Sequence, residues 1–131
     1  MRVALPSIGQ LSSSERWFVG TVLGGLAQGC RARGRPALAN VFKALSEAVS
    51  SPNPDAELDV EPLADLDDGE IEDLARVLRT RQSECQRQSA TGESAFYADV
   101  LVGLEAERAR RDKVLGALDD AITWYERNTR L

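Results

Sequence analysis

Carboxylates in pairs, a run of arginines and two cysteines are the groups in this chain that could do chemistry. Adjacent acids stand at Asp67–Asp68, Glu72–Asp73 and Asp119–Asp120. Paired carboxylates suit general acid–base work or the holding of a divalent cation. None of these pairs falls in the alternating oxygen pattern of a calcium loop, and a helix cap or a solvated helix face accounts for each. Cys30 and Cys85 are isolated and lack metal-ligand spacing, so they read as free thiols in a reducing compartment. Histidine is absent, which removes the commonest general base and the commonest metal ligand together. The sequence contains no phosphate loop, nucleophile elbow or zinc motif. These residues predict a non-enzymatic, cytoplasmic protein with no cofactor and no metal site.

Charge is distributed unevenly. Between Asn53 and Asp73 lie ten acidic residues and no basic one, although the net charge is only −5. The remainder of the chain therefore carries an excess of bases, concentrated at Arg31, Arg33 and Arg35. These precede a predicted helix bearing Asn40 and Lys43, with Leu38, Val41, Phe42 and Leu45 on another face. A helix–turn–helix can be drawn through Gly34 and Pro36, with Arg31, Arg33, Arg35, Asn40 and Lys43 facing phosphates and base edges. The competing reading is a solvated basic corner attracted to the acidic segment. A third reading makes the 53–73 surface a nucleic-acid mimic that inhibits a basic groove. Both nucleic-acid readings stand as alternatives, because an acidic chain is a poor general binder of nucleic acid.

The elements that must position these groups read as helices. Ser12 and Glu15 have capping-box spacing, opening a helix that runs to about Ala32. Gly34 and Pro36 supply a stop and a restart for a second helix, Pro36 to Ser50, whose Leu38, Val41, Phe42, Leu45 and Val49 form one stripe. The longest uncharged run, Trp17 to Cys30, is shorter than the roughly 20 apolar residues of a membrane span. It predicts a buried helix and no membrane partner. Gly20, Gly24, Gly25 and Gly29 on this helix permit a close approach of another helix. A proline-containing acidic connection, 51–66, follows and is the best candidate for a mobile loop. Asp67 and Glu70 then form a second capping box, with Leu66 and Ile71 placed as a hydrophobic staple. That third helix shows Ile71, Leu74, Leu78 and Cys85 on its face. A turn at 88–93 leads into the fourth, from about Ser94 to Arg127. No segment alternates like a strand.

The expected fold is all-α: a four-helix bundle-like domain with a long C-terminal helix. It comprises an N-terminal helix pair (12–50), the acidic connection (51–66) and a helical hairpin with a long second arm (67–128). The last helix carries a seam through Tyr97, Leu101, Leu104, Arg108, Arg111, Leu115, Leu118, Ile122 and Tyr125, interrupted by its two arginines. In an antiparallel hairpin Asp73 and Glu70 would face Arg108 and Arg111 and fix the register. Beyond Arg111 the helix outruns its neighbour. Helices one and two folding back over that half is the expected cover, with a second chain or foreign partner as the alternative. The preferred function is accordingly a protein–protein interaction module, an adaptor, assembly component or small regulator. Its contact surface would be Leu115, Leu118, Ile122, Trp124 and Tyr125, facing a protein partner or forming a homodimer.

Overall fold

The computed structural model of the chain describes residues 2–50, 57–59 and 61–129. Among these residues there are five α-helices: α1 (Ser13–Ala32), α2 (Pro36–Ser50), the short α3 (Glu61–Ala64), α4 (Asp68–Arg87) and α5 (Thr91–Thr129). The fold is all-α, with the long last helix packed on the others through its first half. A 3-10 turn, Pro6–Gln10, precedes α1. Two strands of three residues, β1 (Arg2–Ala4) and β2 (Glu57–Asp59), pair antiparallel with Val3 opposite Leu58. This ribbon departs from the strandless reading of the sequence. Three residues are too few to display the alternation by which a strand is recognised.

The starts of α1 and α4 follow from local chemistry. At α1 the Ser12 hydroxyl accepts from the Glu15 amide, while the Glu15 carboxylate accepts from the Ser12 amide. Asp67 and Glu70 make the same reciprocal pair at α4. Each box satisfies two amide donors that a helix end leaves without a partner. Leu66 and Ile71 flank the second box and are both buried, as a staple requires. The helix ends are equally local. Gly34, at φ +71°, lets the Arg35 amide donate to the Cys30 carbonyl at 2.9 Å, a Schellman closure. The α4–α5 turn repeats this closure with Ser89 at φ +58° and the Ala90 amide donating to Cys85 at 2.8 Å.

α1 and α2 form one antiparallel pair and α4 and α5 another. Their apolar stripes merge in one cluster that includes Leu23, Phe42, Leu45, Leu74, Leu78 and Tyr97, all almost wholly buried. Phe96 meets Tyr97 edge-on, with centroids 5.3 Å apart. The glycines of α1 divide into two groups. A Cβ on Gly20 would meet Ser50 Oγ at 3.0 Å and Val49 Cγ1 at 3.4 Å, whereas Gly25 and Gly29 face open space. Close approach to α2 is thus made at Gly20, whose carbonyl accepts from the Ser46 hydroxyl at 3.0 Å. The part of the acidic connection at 51–56 and 60, where a mobile loop is expected, lies outside the described residues.

Candidate functional site

The seam of α5 is interrupted at a structural boundary. Tyr97, Val100 and Leu104 are buried against the body of the molecule. The next inward positions belong to Glu107, Arg108 and Arg111, and here α5 passes the first turn of α4. Arg111 is the centre of this junction. Its guanidinium donates to Glu107 Oε1 at 3.1 Å and to Asp68 Oδ1 at 3.2 Å. It also donates to the carbonyls of Leu63 and Leu66, at 3.1 and 2.6 Å. Those carbonyls belong to the corner where α3 ends and α4 begins; Leu63 also accepts from the Leu66 amide at 3.2 Å, and Arg111 adds a side-chain donor to each. One arginine therefore fastens α5 to that corner.

Glu107 is only 8% exposed. Two hydrogen bonds from Arg110, at 3.0 and 2.8 Å, and one from Arg111 surround its carboxylate. Arg110, then Arg111, hold this carboxyl below the usual range against the opposing effect of desolvation. Arg108 donates to Glu72 across the hairpin and to Glu105 on its own helix at 3.3 Å. Arg79 and Glu105 add a second cross-hairpin pair at 3.6 Å.

These contacts realise the antiparallel hairpin but revise the expected partners. Glu70 closes the capping box of α4 instead of meeting Arg111. Asp73 is taken by Arg35 from the start of α2 at 2.6 Å, so it does not meet Arg108. Arg35 holds the Asp73 carboxyl below the usual range. Arg108 and Arg111 consequently find Glu72 and Asp68, each on the same stretch of α4.

Past Arg111 the surroundings change abruptly. Every residue from Asp112 to Asn128 is exposed. Val114, Leu115, Leu118, Ile122, Trp124 and Tyr125 are each between 49 and 66% exposed. The expected cover by α1 and α2 is absent. Those helices spend their apolar stripes on each other, on α4 and on the first half of α5. Their corner at Gly34–Pro36 reaches Asp73, more than a turn short of the start of α4. The arm from Asp112 to Thr129 is about 27 Å of helix. At 100° per residue, Val114, Leu115, Leu118, Ala121, Ile122 and Tyr125 share one side, bordered by Asp119 and Glu126, while Asp112, Lys113, Asp120, Trp124 and Arg127 lie beyond it. This apolar side continues the line of Val100 and Leu104. At its foot a hollow of about 290 Å³ opens between Glu72, Arg108, Asp112 and Leu115.

The basic corner is arranged differently. Arg31, Arg33, Asn40 and Lys43 are exposed, but Arg35 is engaged by Asp73 and Lys43 lies 4.0 Å from Glu47. A cleft of about 310 Å³ beside it is lined by Gly25, Gly29, Arg33, Phe42 and Leu74. Sequence reading missed a second exposed pair, Trp17 and Phe18 at the start of α1. Cys30 and Cys85 are free thiols, and Cys85 Sγ donates to Glu93 Oε2 at 3.7 Å. Among the described residues no group of three or more His, Cys, Asp or Glu is placed to hold a metal ion. None of their helices is long and apolar enough to cross a membrane. Comparison with protein-family models, curated proteins and solved structures yields no match.

Proposed function

We propose that this protein is a non-enzymatic interaction module of the cytoplasm, an adaptor, assembly component or small regulator, whose contact element is the distal arm of α5. The observation that carries this reading is the exposure of one long apolar face on a helix that is otherwise firmly anchored. Five large apolar side chains in water along one helix face are costly, and contiguous apolar surface of this kind marks binding sites. The anchor matters as much as the face. Arg111 and Glu107 hold the arm's base in place, so a partner meets a helix of defined direction.

The polar side of the arm speaks against two other surfaces. Asp112, Asp119, Asp120 and Glu126 outnumber Lys113 and Arg127, the reverse of what anionic lipid or a phosphate backbone attracts. The helix–turn–helix reading is the weaker alternative, because Arg35 and Lys43 already have acidic neighbours within the chain. The mimic reading loses surface as well: Asp67 and Glu70 serve as caps, and Asp68, Glu72 and Asp73 face arginines.

The test is comparative co-purification from the native cell, using the full chain and a Leu118→Asp, Ile122→Asp variant. Both should give the same helical circular dichroism. Species retained by the wild type and lost from the variant identify arm-dependent contacts. Identical retention by the two proteins overturns the reading.

A further inference from the structure

Resting on the reading of the arm as a contact element, we infer that its occupant is the arm of a second copy of this chain, packed antiparallel about a two-fold axis level with residue 120. The spacing of the face is self-complementary. Leu115, Leu118, Ile122 and Tyr125 stand three, four and three residues apart, an order that reads the same in both directions. Antiparallel pairing sets Leu115 against the partner's Tyr125 and Leu118 against the partner's Ile122. A two-fold contact requires such a self-complementary patch.

The body of the molecule selects this direction over a parallel one. The apolar side of the arm continues the side of α5 on which α4 lies, and α4 begins at Asp68, opposite Arg111. A parallel partner would carry its own α4 and α3 at the same level, on the same inner side, and the two bodies would collide. An antiparallel arm lies along residues 112–129 of its partner, the stretch of α5 that α4 leaves uncovered, and the two bodies sit at opposite ends of the pair. The arginines at the seam are no obstacle, because Arg108 and Arg111 are already engaged by Glu72, Glu107 and the corner carbonyls.

The available area matches a reversible dimer. A helix about 27 Å long and 10–12 Å across offers roughly 400–500 Å² on one side, hence roughly 800–1,000 Å² for two arms. That is the lower end of specific interfaces, so association is expected to depend on concentration in the micromolar range or above.

The deciding experiment has two parts on the full chain. Sedimentation velocity from about 1 to 200 µM should show the mass doubling for the wild type. A Leu118→Asp variant with unchanged circular dichroism should stay monomeric throughout. In a Cys30→Ser background, an oxidised mixture of Leu115→Cys and Tyr125→Cys chains should form a mixed disulfide dimer, while neither variant alone crosslinks. A wild type that stays monomeric, or a Leu115→Cys chain that crosslinks to itself, overturns the inference. A monomer that still retains arm-dependent foreign species defeats only the second copy. A monomer whose co-purifying species ignore Leu118→Asp defeats the contact-element reading with it.

Discussion

Leu104 and Leu118 lie on the same helix, point to the same side and recur in the same apolar seam, yet one is wholly buried and the other is 54% exposed. The helix continues unbroken between them. What changes is that α4 begins opposite Arg111, so the first half of α5 has a neighbour along its apolar side and the second half has none among the described residues. Apolar periodicity states which side of a helix is better removed from water. Whether anything removes it depends on the lengths of the other elements.

Truncation tests this contrast most strongly. Leu104→Ala is expected to destabilise the fold by about 2–5 kcal/mol in urea unfolding, since it empties packed space. Leu118→Ala in dilute solution is expected to change it by less than about 0.5 kcal/mol. Equal losses at the two sites would erase the distinction between the halves. Arg111→Met addresses the boundary itself. It strips donors from the Leu63 and Leu66 carbonyls and a partner from Glu107, so a loss of about 1–3 kcal/mol is expected. Amide exchange in α3 and the first turn of α4 should quicken with it, while the arm is unaffected.

The third expectation concerns pH. Glu107 is held below its ordinary range in the folded chain, so its contribution is fully present above the unfolded value near 4.3 and is lost as pH falls through the folded value. Unfolding midpoints followed from pH 7 to pH 3 should therefore fall less steeply in Glu107→Gln than in the wild type. Parallel curves would show that the junction carboxylate has no such role. The smallest effect lies at the other end of the hairpin. Ser89 adopts a left-handed backbone that glycine tolerates without penalty. Ser89→Gly is expected to raise stability by about 0.5–1 kcal/mol, read from the urea midpoint.

Legibility in the sequence follows the distance over which each interaction acts. Both capping boxes, the staple at Leu66 and Ile71, and the stop at Gly34 were readable because each involves residues within a few positions of one another. The hairpin direction was readable too, from a short turn joining two long helices. The ion-pair partners at the junction were not. Arg108 lay within reach of both Glu72 and Asp73, and only the arrival of Arg35 from α2 removed Asp73 from the choice. Glu70 was likewise claimed by its own helix cap. The sequence also did not reveal Arg111 as a donor to main-chain carbonyls, because those carbonyls become available only once α3 ends beside α5.

By itself the sequence determined the helices, their caps and the amphipathic side of the last one, because capping and 3.6-residue periodicity are properties of a local stretch. It determined as well that α5 outruns α4, since both helices rise by the same amount per residue. Only the tertiary structure decided that none of the described residues covers the arm. That outcome depends on where α1 and α2 dock. Their apolar stripes are consumed by the shared core, and their corner stops at Asp73, too far from Leu118 for any side chain to reach.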